Sequence, residues 1–319
     1  MKLITEVGLW LFITQGLMGI LLNCSLLSIL NFTKQTNTEV GTMGAISFVD
    51  LIYSICILGF SVARLNFNYV VKPYDHYLCA LSASVLPNVC MCSLDLITLL
   101  AVIRYLKASK DTTVSAWTLT PIIALVVGST VIPAAAAAPF SAYMRLKSEI
   151  FCTYAPTPML KILKMYMFFK FCFCVVTLII CYIKVLISYR KTKKNKRVRF
   201  DTSGLNDETE KVGIILEAQT RVTVRYSAVM VLYLLVLLPE LGSAISYAAY
   251  PRPIDAWEEF IISFLEGFLV VINPIFVLVV HRETWAFILG TLAFKKKRKG
   301  RVHNVDYYQH VNPYSRFRY

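Results

Sequence analysis

The sequence predicts an all-α membrane protein, a seven-transmembrane helix bundle with a short amphipathic helix after span seven. Three observations lead there. The 319 residues are 57% hydrophobic and only 16% charged, with a mean hydropathy of +0.60, whereas soluble domains carry about 25% charged residues. The apolar residues gather into seven continuous stretches, about 7–31, 40–64, 78–103, 117–139, 159–188, 226–249 and 258–281. The basic residues gather into two clusters, each beside such a stretch. A helix needs about 20–25 apolar residues to cross a bilayer, so seven leave room for loops and tails but for no separate soluble catalytic domain. Continuous rather than alternating apolar residues argue against a transmembrane barrel.

Taken in order, span one follows only Met1 to Glu6. It is too long for the apolar core of a signal peptide and no cleavage site follows it, so it reads as an uncleaved signal anchor. Spans two and three each carry an acid, Asp50 and Asp95. Span four ends with Pro133 and Pro139 bracketing five alanines, Ala134 to Ala138. Span five carries Lys161, Lys164 and Lys170 in its first half, and its uncharged part runs only from Phe171 to Ile183. It is kept as a span because without it the two basic clusters would face opposite sides. Spans six and seven contain Pro239 and Pro274, which break the hydrogen-bond ladder and permit kinks. Residues 1–294 thus form the bundle plus the surface helix from Arg282 to Phe294, and 295–319 form a basic cytoplasmic tail.

The formal net charge of +14 is placed, not spread. Arg190, Lys191, Lys193, Lys194, Lys196, Arg197 and Arg199 lie between spans five and six, and Lys295 to Lys299 with Arg301 follow span seven. Positive residues near span ends stay cytoplasmic, which puts the N-terminus outside and the C-terminus inside a multi-pass plasma-membrane protein. Contact with anionic lipid at about 1 kcal/mol per residue follows from that position, and nucleic acid is excluded as a partner. Seven of the nine cysteines lie inside spans. Cys79, at the outer start of span three, and Cys152, in the loop after span four, face the oxidising side and are expected to form a disulfide. The sequons at Asn23 and Asn31 fall in span one or at its inner end, where no glycan is added.

Short motifs occur along the spans in a telling order: Gly19-Ile20-Leu21-Leu22-Asn23 in span one, Ile46-Ser47-Phe48-Val49-Asp50 in span two, and Cys79 with Ile103-Arg104-Tyr105 at the two ends of span three. Cys181-Tyr182 ends span five, Val236-Leu237-Leu238-Pro239 lies in span six and Asn273-Pro274 in span seven. In this order the chain resembles the rhodopsin-like (class A) G-protein-coupled receptors over nearly its whole length, with no subfamily assigned. It departs from them where the acid before the arginine is Ile103, the span-six tryptophan is Leu237 and the span-seven tyrosine is Val277. Glu217 lies close to Gln219, which stands where the family has its span-six acid. The resemblance then implies a lost resting latch, and with it either high basal activity or lost signalling.

The resemblance also assigns roles. Arg104 and Tyr182 are expected to contact a heterotrimeric G protein, with Pro239 and Pro274 as hinges. An arginine at a helix end otherwise snorkels to lipid phosphate. Asp50, Ser93 and Asn273 match the family's sodium-water pocket; the plainer reading is that they hydrogen-bond one another. Charges inside a membrane cost about 2.5–3.5 kcal/mol each, so Lys170, Glu240 and Glu266 need partners or a function. They are expected either to form an internal salt bridge, Lys170 with Glu240, or to anchor an extracellular or membrane-borne small ligand near Leu86. Asp95 is expected to face polar groups of a neighbouring helix. Retinal is disfavoured because the span-seven lysine it needs is Gly267. A small molecule, lipid or short peptide is the expected ligand.

Enzyme readings find no support in the residues. The four histidines lie in loops, at a span end or in the tail, and the Cys-x-Cys pairs put their thiols on nearly opposite helix faces. Phosphate loops and nucleophile elbows are absent. The rival to a signalling receptor is a non-signalling seven-span partner or trafficking protein with degenerate receptor motifs. A transporter ranks third, since no internal repeat is visible.

Overall fold

In an apolar solvent every backbone N–H and C=O must find its partner within the chain, so apolar stretches of this length become helices. The computed structural model describes residues 2–32, 38–66, 77–110, 115–137, 143–145, 150–154, 157–201, 228, 231–232, 235–239, 242 and 255–280. Among these, five helices are long and apolar enough to cross a membrane: Thr5–Asn31, Thr38–Asn66, Tyr77–Lys107, Trp117–Ala136 and Leu160–Ser188. They cover predicted spans one to five. A further helix, Ala256–Val280, covers predicted span seven. Predicted span six is helical at its described positions, and Pro239 is one of them, while Glu240 lies outside the described residues. The expected surface helix 282–294 and the basic tail also lie outside them; the compact unit that holds the spans is Met1–Val280.

Local sequence explains the helix ends. Span five starts with Thr157, whose hydroxyl accepts from the Leu160 N–H at 3.4 Å and whose carbonyl accepts from Lys161 at 3.0 Å. Pro158 follows at the first helical position, where its missing N–H costs nothing. Asp255 opens the span-seven helix through its carbonyl, and Glu258 and Glu259 sit in the first turn, where the helix dipole favours acids. Within the spans, hydroxyls such as those of Thr42, Ser54 and Thr98 donate to the carbonyl four residues back, which satisfies them without a partner helix.

Two features depart from the sequence reading. Span three contains a π-helical turn, Leu81–Val85, closed by a bond from the Leu86 N–H to the Leu81 carbonyl. Pro87 comes next; it has no N–H to offer the Ala83 carbonyl and its ring needs room there, so a widened turn fits its demands. The span-five helix runs from Pro158 to Asp201. The basic run from Arg190 to Arg199 is therefore the helical continuation of the span, not a loop.

Span three is the most enclosed helix and packs against spans two, four and five, while span one packs against spans two and seven. Glycines permit the closest approaches. A Cβ at Gly16 would lie 2.9 Å from the Leu58 Cβ and 3.0 Å from the Ser54 carbonyl, and one at Gly19 would overlap the Ser54 side chain. The outward faces carry large apolar side chains, among them Trp10, Leu21, Leu125 and Phe173, as a lipid-facing surface requires. Between spans four and five, two three-residue strands, β1 (Tyr143–Arg145) and β2 (Cys152–Tyr154), pair antiparallel with Arg145 opposite Cys152. The architecture is that of a multi-pass membrane protein.

Candidate functional site

Neighbouring spans run in opposite directions, so the start of span two and the end of span three share one end of the bundle. There Arg104 is 7% exposed. Its Nη1 donates to the Tyr182 hydroxyl at 3.5 Å, and its Nε lies 3.6 Å from Glu39 Oε2. Lys107, one turn further along the same helix, donates to Glu39 Oε1 at 2.8 Å. Ile103 is buried in the core, because adjacent helical residues point about 100° apart. Position 103 thus brings no acid to Arg104; the carboxylate beside it comes from span two.

Half-way along the bundle, Asp50 is fully buried. Its Oδ1 accepts from the Ser93 hydroxyl at 2.6 Å and its Oδ2 from the Asn273 amide at 2.7 Å; that amide also reaches Ser93 Oγ at 3.3 Å. Spans two, three and seven are thus joined at one carboxylate, with Asp50, Ser93 and Asn273 hydrogen-bonded to one another. Asn23 extends the junction to span one, donating to the carbonyls of Gly19 at 2.9 Å and Val270 at 3.0 Å. Pro274 follows Asn273 directly inside the span-seven helix.

A second polar cluster joins spans three, four and five. Lys170 Nζ lies 2.7 Å from Asp95 Oδ2 and 2.7 Å from Ser129 Oγ, and it also donates to Thr130 Oγ1. Thr130 donates to Asp95 Oδ2 at 2.6 Å, and the Cys174 thiol reaches Asp95 Oδ1 at 3.3 Å. The salt bridge of Lys170 is therefore with Asp95; Glu240, its expected partner, lies outside the described residues. Asp95 does face polar groups of its neighbours.

At the opposite end from Arg104, Cys79 and Cys152 are disulfide-bonded with their Cα atoms 5.1 Å apart. Ser82 supports the link: its hydroxyl accepts from the Cys152 N–H at 3.1 Å and donates to the Cys79 carbonyl at 3.3 Å. The bond holds Ile150 and Phe151 down among spans one, two and seven. Phe151 stacks on Phe60 with centroids 5.6 Å apart and meets Phe12 edge-on at 5.0 Å. Arg64 is buried over the Phe60 ring, 5.9 Å from its centroid. Leu86 is buried in this same apolar cluster. Glu266 is part-buried on span seven, one residue before Gly267, where a Cβ would come 2.6 Å from Gln15 Oε1. Of the sequence-predicted ligand residues, Lys170 thus lies in the polar cluster and Leu86 in the apolar one.

Glu39 and the Phe151 plug are the residues that sequence reasoning passed over. Glu39 had a legible signal, an acid at the same membrane end as Arg104 once the span directions are assigned. Phe151 had none, since its position depends on where one loop folds.

No protein-family model matches the chain, and a search of curated protein sequences finds no match. Among solved structures, the chain is similar to the crystal structure of squid rhodopsin, with a TM-score of 0.73 and 14% identity over 95% of this chain and 89% of that one. The chain has a rhodopsin-like G-protein-coupled receptor fold.

Proposed function

We propose that this chain is a seven-span plasma-membrane receptor, its N-terminus outside, that senses a small molecule, lipid or short peptide and activates a heterotrimeric G protein. The observation that carries this reading is the meeting of Arg104 and Tyr182 from spans three and five at one end of a rhodopsin-like fold. A planar guanidinium there is suited to backbone carbonyls at the end of a docked helix. Ligand binding acts by population shift, favouring the conformation with that end open. Pro239 and Pro274 are the hinges of that motion.

The ligand enters from the disulfide end. Lys170, Glu240, Glu266 and Leu86 are its candidate contacts, and a ligand carboxylate would compete with Asp95 for Lys170. Retinal has no place in this reading: Gly267 stands where its lysine is needed, and span one packs against it through Gln15. Asp50 fits a hard monovalent cation. Its two oxygens and Ser93 Oγ are oxygen donors, and among the described residues no cationic side chain is paired with it. An ion bound there would favour the closed packing of spans two, three and seven. Anionic lipids lie against the basic segments.

A second reading has its own observation. Leu237 and Val277, at the places of two family switches, are both buried in the main apolar core, which suits a non-signalling partner protein. Ligand-free nucleotide exchange on a panel of G proteins decides between them, using membranes with the wild-type chain and with Arg104→Ala, followed by a ligand screen. Exchange, basal or ligand-driven, that Arg104→Ala abolishes supports the receptor. A surface-expressed chain that drives no exchange with any ligand rejects it.

A further inference from the structure

We propose that the seam between spans four and five is a bilayer-facing site for a single-chain carboxylic acid, whose carboxylate binds the Lys170 ammonium while its chain lies along the apolar face of span five. This names a ligand class for the Lys170 end of the site proposed above and rests on that reading; it adds a route from the bilayer to the one at the disulfide end. Tyr166, Phe169, Lys170 and Phe173 fall at helical spacing on one face of span five, and the three aromatic residues are exposed. Across the seam, span four is the least enclosed of the five apolar helices. Pro133 has no N–H for the Ser129 carbonyl, and the Tyr166 hydroxyl donates to that carbonyl instead, at 2.7 Å. The Ser129 hydroxyl donates to the Val126 carbonyl at 2.6 Å and accepts from Lys170. A polar seam thus runs from an exposed tyrosine inward to a charged pair. In that pair the ammonium is the outer member: the Lys170 side chain is 12% exposed and that of Asp95 3%. An anion arriving from the lipid meets the cation first.

Depth selects the occupant. Lys170 lies about 15 Å along the helix from Leu160, where the apolar span begins, whereas the charged head of a phospholipid stays in the interfacial layer. A fatty acid is neutral once protonated and enters hydrocarbon in that form. Lys170 already donates to Asp95, Ser129 and Thr130, so the ligand replaces a partner and does not add one. Its carboxylate takes the place of Asp95 at the ammonium, and Asp95 takes up the proton that the acid brought. No net charge enters the membrane by this exchange, and Ser129 and Thr130 keep their contacts.

The test measures binding of tritiated palmitate to the full chain in nanodiscs of zwitterionic phospholipid, against empty nanodiscs. Saturable binding is expected for the wild type, and hexadecanol, which has the same chain and no acid, should not compete. Asp95→Asn removes the competing carboxylate and should bind about ten-fold tighter. The Lys170→Met/Asp95→Asn double variant strands no charge, so it serves even where Lys170→Met alone does not fold. It should bind about ten- to hundred-fold more weakly than Asp95→Asn. No saturable binding to the wild type overturns the inference. So does displacement by hexadecanol or by phosphatidylglycerol added to the disc, or a double variant that binds as tightly as Asp95→Asn. Palmitate bound in the expected pattern without nucleotide exchange on any G protein sustains the site and counts against the receptor reading. Exchange driven by another ligand, with no palmitate bound, removes the site and leaves the receptor reading standing.

Discussion

Asp50 and Asp95 are both acids sunk into the bundle, 0% and 4% exposed, and their surroundings answer the charge in opposite ways. Asp95 meets a lysine from span five at 2.7 Å, a threonine hydroxyl and a thiol. Among the described residues, Asp50 meets only neutral donors, a hydroxyl and an amide. Burying a carboxylate costs several kcal/mol unless an opposite charge and hydrogen bonds compensate it. Asp95 is compensated by the chain itself, which makes it a fixture of spans three, four and five. Each Asp50 oxygen accepts one hydrogen bond, but among the described residues no cation answers its charge, which is what a bound cation or a proton would do. Burial alone does not tell the two acids apart; charge balance does.

The largest effect should come from breaking the balanced pair. Lys170→Met leaves the Asp95 charge buried without its cation, and unfolding in detergent should show a loss of about 3–5 kcal/mol. Adding Asp95→Asn removes the stranded charge and should recover most of that loss. A Lys170→Met protein that melts like wild type would mean the pair is dispensable, and the contrast with Asp50 would collapse.

A smaller effect separates the two sites directly. Wild-type protein should melt higher in sodium chloride than in choline chloride of equal strength, by about 1–2 kcal/mol when the free ion exceeds its Kd roughly 10- to 30-fold. Asp50→Asn should flatten that difference, whereas Lys170→Met should keep it. If Asp50→Asn responds to sodium as wild type does, the unanswered charge is met by a proton instead.

Much of this contrast could be read from the residues, but not all. Asp50 and Asn273 were legible as a group because each stands in a short motif with fixed spacing, and the pattern of apolar stretches located the helices that carry them. The partner of Lys170 was not legible. Glu240 and Asp95 were both acids within plausible reach, and the choice between them depends on how span five is rotated against span three, which a uniformly apolar helix does not encode in its pattern. The same ambiguity concealed Glu39, since the missing acid at Ile103 drew attention to sequence neighbours while the structure supplies one from another helix. The π-turn before Pro87 was not read from the sequence, and its effect on register required the backbone path.

The finest distinction concerns how span one supports Asp50 but not Asp95. At Gly19 a Cβ would overlap the Ser54 side chain and approach the Val270 Cγ2 to 3.2 Å. Ser54 in turn donates to the Asp50 carbonyl at 2.6 Å. Gly19→Ala must therefore push span one away from spans two and seven, at a cost of about 1–3 kcal/mol. Gly44→Ala, where nothing lies within 4 Å, should stay within about 0.5 kcal/mol of wild type or gain slightly from better helix propensity. The displacement reaches Asp50 and Asn273, so the sodium response should shrink in Gly19→Ala. It does not reach spans four and five, so combining Gly19→Ala with Lys170→Met should give additive losses. Non-additive losses would show that the two acids share one mechanical unit, whereas an intact sodium response would show that Asp50 is held by spans two, three and seven without help from span one.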